Sequence, residues 1–114
     1  ARHSQDPSEF TIAPIGAIRK LYEKTGWSNA DVDLFEINEA FAMVTMLAIQ
    51  ELELDHAKVN VNGGACAQGH PIGSTGSRIM VTLLHALQQR GKQRGVAALC
   101  IGGGEATAVA IELI

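Results

Sequence analysis

The sequence has few cysteines, no excess of positive charge and no long hydrophobic run. Its two cysteines, Cys66 and Cys100, are too few for a disulfide framework and indicate free thiols in a reducing compartment. The formal net charge of -3 argues against a nucleic-acid-binding protein, because such proteins carry a basic face. No apolar run approaches the ~20 residues that a membrane-spanning helix needs. The sequence therefore predicts neither a nucleic-acid partner nor a membrane partner.

The composition is that of one folded domain. Of the 114 residues, 46% are hydrophobic and 18% are charged, a balance that supports one core and excludes a disordered chain. The opening ARHSQDPSEF has neither an initiator methionine nor an apolar signal region, and it reads as an arbitrary start. We expect a cytoplasmic protein, with a mitochondrial or peroxisomal location as the alternatives.

The hydrophobic spacing predicts alternating helices and strands after a polar, irregular segment at residues 1–13. The predicted elements are a helix from Pro14 to Gly26, a strand over 32–37, a largely buried helix over 38–54, a strand over 58–64, a helix over 74–90, and strands over 95–104 and 106–114. Too few residues separate the last two strands for a crossover helix, so they should pair antiparallel. This order predicts an α/β layered domain, a mixed sheet with helices on both faces. No strand precedes the first helix, so a first strand before Ala1 is expected to be missing.

Three loops at the carboxyl ends of predicted strands carry chemically useful groups. They are NEAF at 38–41, GGACAQGHPIG at 63–73 and CIGGGEA at 100–106. In open α/β sheets, ligands bind at the carboxyl ends of the strands. We therefore expect one site, in which the side chains of His70, Cys100 and Asn38 converge.

His70 is the candidate proton acceptor of this site. Pro71 restricts the backbone of His70 to an extended conformation, which lets the ring keep one direction. A neutral imidazole is the natural base at neutral pH. The alternative is a surface histidine in a turn.

Cys100 and the glycines after it each have a chemical and a structural interpretation. A thiol at a strand end could exchange a proton with a substrate, whereas most free cysteines are simply buried. The N–H groups of Gly102, Gly103 and Gly104 could stabilise a developing negative charge. Alternatively, these glycines only supply the positive φ angles of a hairpin. Cys66 has no glycine cluster directly after it and is the weaker candidate.

The loop NEAF also leaves alternatives open. Asn38 could cap the helix that follows, or its amide could hold a water or an oxyanion. Glu39 would lie near the positive end of the helix dipole. Phe41 is either a core residue or a wall of a pocket.

The segment GHPIGSTG matches neither glycine-rich nucleotide motif. Its spacing and its lack of lysine differ from the P-loop, and the pattern G-x-G-x-x-G is absent. The start of the next helix could still attract an anion, or Ser74 or Thr75 could act as its cap. The other three histidines have no partners at metal-ligand spacing, so no metal site is predicted.

Four motifs, in order, resemble the C-terminal domain of the thiolases. They are NEAF, NVNGG, GHPIG and CIGGG, and the resemblance extends from about FTIAPIGAIRK to AIEL. It implies a thiolase-like layered domain. It also implies acyl transfer to and from coenzyme A, by Claisen condensation or by thiolysis of a 3-ketoacyl-CoA such as acetoacetyl-CoA. The coenzyme A thioester would be a substrate, and no covalently bound cofactor is expected.

The resemblance implies a role for each residue that matches a motif. His70 would be the base that activates a nucleophilic cysteine, and Cys100 the acid/base at the α-carbon of the acetyl group. Asn38 would hold a water that completes an oxyanion hole with His70. The N–H of Gly102 would belong to a second oxyanion hole, and Phe41 would line the pantetheine tunnel.

The resemblance also implies partners outside this chain. Residues 1–114 would be a truncated C-terminal domain, and the N-terminal domain with the nucleophilic cysteine would be absent. The parent would be a homodimer or homotetramer, and the isolated chain would be inactive. The alternatives are a catalytically silent thiolase-like domain that binds an acyl-CoA or a partner, and a nucleotide-binding α/β module.

Overall fold

The apolar run GVAALCI becomes the long central strand of a four-stranded sheet. The computed structural model describes all residues, 1–114. Its strands are β1 (Arg2–Ser4), β2 (Leu34–Ile37), β3 (Arg94–Ile101) and β4 (Glu105–Glu112). The sheet order is β1-β4-β3-β2; β2 and β3 are parallel, and the other two neighbouring pairs are antiparallel. The predicted mixed sheet and antiparallel C-terminal pair are therefore confirmed.

Helices cover both faces of the sheet. They are α1 (Ala13–Thr25), α2 (Ala42–Glu51), α3 (Ala65–Gln68) and α4 (Thr75–Gln89), with 3₁₀ turns at Pro7–Ile12, Asn29–Asp31 and His56–Lys58. Gly26 ends α1 as predicted, because its φ of 71° is left-handed and its N–H donates to the carbonyl of Tyr22 at 2.8 Å. The predicted helix over 74–90 is α4, whereas the single turn α3 was not predicted. None of the helices is both long enough and apolar enough to cross a membrane.

Side chains of the two parallel strands alternate between two hydrophobic clusters. The larger cluster contains Phe35, Ile37, Val96 and Ala98 and includes the buried face of α1. The smaller cluster joins Leu34 and Ala97 to the apolar stripe of α4. Because successive side chains of a strand point to opposite faces, strands that are covered on both sides read as continuous apolar runs.

The first thirteen residues are more ordered than the sequence predicts. Instead of an irregular loop they contain β1 and a 3₁₀ turn, so a strand does precede the first helix within this chain, at Arg2–Ser4. It pairs antiparallel with β4, and the ladder continues to the N–H of Gln5, which donates to the carbonyl of Gly104 at 2.9 Å. Main-chain hydrogen bonds hold this edge strand, and it needs no apolar side chains. Its sequence, RHS, therefore has no apolar pattern from which a strand could be predicted.

The predicted strand over 58–64 is wrong. Only one bridge forms, between Val59 and Phe35, because the next residue, Asn60, turns away with a φ of 49°. The side chain of Asn60 then replaces a paired strand. Its Oδ1 accepts from the N–H of Ile37 at 2.9 Å, and its Nδ2 donates to the carbonyl of Ile37 at 2.8 Å.

The helix predicted over 38–54 is shorter and less buried than expected. It begins at Ala42 and ends at Glu51, and only Val44, Thr45 and Ala48 are buried. Three large apolar side chains at its start and along its outer face are more than half exposed: Phe41 (59%), Met43 (51%) and Met46 (65%). The sequence predicted a buried helix because it is apolar on nearly all sides, but this chain covers only one of those sides.

Candidate active site

Three of the four predicted catalytic residues line one cavity at the carboxyl end of β3. The cavity has a volume of about 270 Å³, and its walls include His70, Cys100 and Gly102. Thr75 and Gly76 at the start of α4 and Ala40 of the loop after β2 also line it. Residues from all three predicted loops thus meet at one cavity. A larger cavity of about 540 Å³ lies against α1, and none of the predicted site residues lines it.

The ring of His70 is held by Thr75. The exposed histidine lies between Gly69, which ends α3 with a φ of 97°, and Pro71, in the short loop that leads to α4. Its Nδ1 lies 2.7 Å from Oγ1 of Thr75, and that hydroxyl donates to the carbonyl of Pro71 at 3.0 Å. With the single hydroxyl proton on the carbonyl of Pro71, Oγ1 accepts from the imidazole, and this arrangement assigns the ring proton to Nδ1. The other nitrogen, Nε2, is then the unprotonated acceptor that a base requires.

Cys100 lies near the end of β3, opposite Ala106 of β4. Its side chain is partly buried, and this burial raises the pKa of the thiol. A raised pKa keeps the group protonated at neutral pH, because desolvation disfavours the thiolate. The thiol is therefore suited to donate a proton to a carbanion, and it is poorly suited to act as a resting nucleophile.

The glycines after Cys100 form the turn between β3 and β4. Gly103 and Gly104 have φ angles of 100° and 81°, which only glycine adopts readily. A Cβ at Gly104 would also overlap the carbonyl oxygen of Gln5. The hairpin interpretation therefore holds for these two residues. Gly102 differs, since a Cβ there would meet nothing within 4 Å and its φ is not positive.

Asn38 does not cap α2, contrary to that alternative. The residue before α2 is Phe41, and no side chain caps the helix. Asn38 instead continues the pairing of β2, where its N–H donates to the carbonyl of Ala98 at 2.9 Å. Its side chain is buried, Oδ1 accepts from Nη2 of Arg78 at 3.4 Å, and Nδ2 has no partner. Asn38 is not among the residues that line the His70–Cys100 cavity.

Phe41 is not a core residue in this chain. It is 59% exposed, and its ring meets the edge of the Phe10 ring with a centroid separation of 6.0 Å and an interplanar angle of 61°. Phe10, rather than Phe41, lines the cavity. Phe41 therefore lies next to the cavity and has a free outer face.

Glu39 was predicted to interact with the start of α2, but its carboxylate binds the start of α3 instead. Its Oε2 accepts from the N–H of Cys66 in the first turn of α3 at 2.9 Å. A Cβ at Gly64 would collide with this carboxyl group, so glycine permits the close approach. The carboxylate also raises the pKa of the exposed Cys66 thiol. Cys66 remains outside the cavity, in agreement with its weaker rank.

Sequence reasoning missed three side chains of this region. Thr75, which holds the ring of His70, was considered only as a cap. The pair Glu36 and Arg78 was not considered. The glutamate within the apolar strand LFEI could have indicated a buried carboxyl group that needs a partner. Glu36 is 1% exposed, and burial raises its pKa to about 7; Arg78 opposes this shift and Glu39 reinforces it. No three His, Cys, Asp or Glu side chains group where they could hold a metal ion.

Comparisons with known proteins all return one family. The family model described as "Thiolase, C-terminal domain" matches residues 1–113. Cytosolic acetyl-CoA acetyltransferase of Mus musculus is 55% identical over 107 residues, which cover 94% of this chain and 27% of that protein. Acetyl-CoA acetyltransferase of Synechocystis sp. is 56% identical over 108 residues, which cover 95% of this chain and 27% of that protein.

Solved structures of an acetyl-CoA acetyltransferase and of a thiolase have the same fold as this chain. The chain is similar to a crystal structure of the Bacillus anthracis acetyl-CoA acetyltransferase with a TM-score of 0.97 and 50% identity. It is also similar to Acat5 thiolase from Ascaris suum in complex with coenzyme A, with a TM-score of 0.94 and 46% identity. Each match covers 100% of this chain and 29% of the solved chain. The chain therefore spans well under half the length of the proteins that it matches.

Proposed function

The chain belongs to the thiolase family as a C-terminal domain, and on that premise we propose that it supplies half of the active site of an acetyl-CoA acetyltransferase. The reaction is acyl transfer to and from coenzyme A, most simply the interconversion of acetoacetyl-CoA and two acetyl-CoA. The observation that carries this proposal is the shared cavity of His70, Cys100 and Gly102. The names of the relatives, which are acetyl-CoA acetyltransferases, support the same reaction.

In the thiolysis direction, each group has one proton to move. Nε2 of His70 accepts the proton of a nucleophilic thiol, which then attacks the ketone carbon of acetoacetyl-CoA. The bond between that carbon and the α-carbon breaks, and its electron pair leaves as the enolate of acetyl-CoA. The Cys100 thiol gives its proton to the α-carbon, which releases one acetyl-CoA and leaves the acetyl group on the nucleophilic cysteine. The Cys100 thiolate then takes the proton of the coenzyme A thiol, the coenzyme A sulfur attacks the acetyl carbon, and the nucleophilic cysteine leaves and recovers its proton from His70. In condensation the same steps run backwards.

Two sets of hydrogen-bond donors would stabilise the oxyanions of this reaction. Gly102 lines the cavity and its N–H would serve one of them, and the Asn38 amide, through a water shared with His70, would serve the other. Removal of one such donor typically costs ~10²–10³ in rate. Phe41 would form part of the wall along the pantetheine arm, since its outer face is free.

The nucleophile must come from outside this chain. Burial keeps the Cys100 thiol protonated and Cys66 lies outside the cavity, so neither suits the role of the cysteine that carries the acyl group. We propose that an N-terminal domain supplies this cysteine and packs on the exposed apolar face of α2. The parent would be a homodimer or homotetramer in the cytoplasm; the location is in keeping with a relative that is named cytosolic.

Thiolysis of acetoacetyl-CoA by the full-length polypeptide that contains this domain tests the proposal. Cys100→Ala should abolish most turnover, whereas the matched control Cys66→Ala should leave it close to wild type. The isolated 114-residue chain should show no turnover. Activity that survives Cys100→Ala would instead favour a catalytically silent domain that only binds an acyl-CoA.

A further inference from the structure

Three polar side chains meet in the interior between β2 and α4. Glu36 lies within β2, Asn38 follows that strand, and Arg78 extends from the first turns of α4. Nη1 of Arg78 lies 3.8 Å from Oε2 of Glu36, and Nη2 donates to Oδ1 of Asn38 at 3.4 Å. The side chains of Arg78 and Glu36 are 19% and 2% exposed, so the pair is shielded from water.

The chemistry of arginine fixes the orientation of the Asn38 amide. A guanidinium has donors only, so the amide atom that faces it must be the oxygen. The NH₂ group of Asn38 is consequently turned away from Arg78, and its nitrogen has no partner although it is buried. The contact with Arg78 is therefore the hydrogen bond that distinguishes the oxygen of the amide from its nitrogen.

The unpartnered atoms distinguish this cluster from a structural ion pair. Buried polar groups are normally paired, because an unmade hydrogen bond costs the full desolvation of the group. Here one oxygen of Glu36, Nε of Arg78 and Nδ2 of Asn38 all lack partners. A cluster that served stability alone would gain from apolar residues of similar volume.

We infer that Arg78, held by Glu36, is a positioning residue that presents the NH₂ group of Asn38 to an oxygen acceptor of the acyl-transfer reaction. The acceptor is a water or a thioester oxygen, both of which offer a lone pair to an amide. This inference rests on the proposed function. It assigns no contact with substrate to Arg78 or Glu36, which act only through the orientation of the amide.

A double-mutant cycle in the full-length polypeptide tests the inference. Asn38→Ala removes the donor and should lower kcat by roughly 10²–10³ with little change in KM. Arg78→Met frees the amide and should lower kcat by a smaller factor, again with little change in KM. In the Asn38→Ala background, Arg78→Met should cause no further loss, because the residue through which it acts is already gone.

Additive losses in the cycle would overturn the inference, since they would mean that Arg78 acts independently of Asn38. Arg90→Met, at the exposed end of the same helix, is the control and should leave kcat unchanged. If Arg78→Met does not fold, Arg78→Lys, which keeps the charge but not the planar fork, replaces it in the cycle and is judged by the same rule. A wild-type enzyme without thiolysis activity, or an unaffected Asn38→Ala variant, would instead contradict the proposed function.

Discussion

At the scale of single residues, proton positions in the site depend on neighbours that bear no charge. Thr75 is 2% exposed, and its hydroxyl lies 2.7 Å from Nδ1 of His70 and donates to the carbonyl of Pro71 at 3.0 Å, an arrangement that assigns the ring proton to Nδ1. One hydroxyl therefore fixes the tautomer of the histidine and, with it, which nitrogen can act as a base.

Replacement of this hydroxyl should impair the chemical step. Thr75→Val keeps the volume but leaves Nδ1 without an acceptor, so the tautomer is no longer fixed. We expect kcat of the full-length enzyme to fall by roughly 10- to 100-fold, a part of the ~10²–10⁴ that general base catalysis contributes. Thr75→Ser keeps the oxygen and should retain most activity. Equal thiolysis rates for the two variants would show that the hydroxyl has no such role.

The sequence predicts candidate residues that are marked by their neighbours along the chain. It does not predict residues whose contacts depend on the packing of distant elements. His70 and Cys100 were found from their neighbours, a proline and a run of glycines. The interactions of Arg78 with Glu36 and of Thr75 with His70 depend on how α4 packs, and no spacing along the chain encodes that packing. Asn38 was recognised as a polar residue at a strand end, but its partner lies forty residues further along the chain.

At the scale of elements, prediction succeeded where the residues of the element itself indicate its type or its end. The continuous apolar run gave β3, and Gly26 gave the end of α1. The strand β1 was missed because it is short and polar, so no apolar pattern marks it, and main-chain bonds to β4 hold it. The false strand over 58–64 arose because apolar and β-branched residues predict a strand even where a side chain does the pairing.

The pairing by Asn60 should contribute measurably to stability. Asn60→Ala leaves the N–H and carbonyl of Ile37 without these partners and places alanine at a φ of 49°. The free energy of unfolding should fall by about 1–3 kcal/mol, the cost of unsatisfied buried groups. Asn62→Ala, at an exposed position whose side chain makes no hydrogen bond, should change it little. Urea denaturation of the isolated chain measures both, and equal stabilities would refute the assignment.

At the scale of the whole molecule, the buried carboxyl group of Glu36 links stability to pH. Its pKa is raised from 4.5 to about 7, chiefly by burial, while Arg78 lowers it and Glu39 raises it further. Between these two values the folded state binds more protons than the unfolded state. The contribution of Glu36 to the free energy of unfolding is therefore largest below pH 4.5 and decreases as pH rises toward 7.

Glu36→Gln should remove this dependence. The difference in unfolding free energy, wild type minus variant, should decrease as pH rises from about 4.5 to about 7 and then stay constant. Taking the difference cancels the carboxylates whose pKa values are lowered, such as Asp33, which act in the opposite sense. Glu105→Gln, at an exposed position, should show no such trend. Denaturation curves across this pH range decide the question, and a difference that grows with pH would contradict the burial argument.

The outer face of α2 carries apolar side chains that this chain itself does not cover. The sequence predicted a buried helix, yet Phe41, Met43 and Met46 are exposed, and they lie together at the start and on the outer side of one helix. Large exposed apolar side chains on one side of a helix are a common feature of contact surfaces. The chain covers 27% of the length of its curated relatives, so most of such a protein is available to cover them.

Polar replacement of this face should have opposite effects on the two forms of the protein. In the isolated chain, Met43→Gln with Met46→Gln should reduce concentration-dependent association, measured by sedimentation velocity, because the exposed patch is removed. In the full-length polypeptide the same pair should lower Tm, because the proposed contact with the N-terminal domain would bury these side chains and a polar group would lose its water. Val81→Gln, a lone exposed apolar residue on α4, should leave the association of the isolated chain unchanged. An unchanged Tm of the full-length variant would mean that nothing packs on α2, and the proposed contact with the N-terminal domain would be wrong.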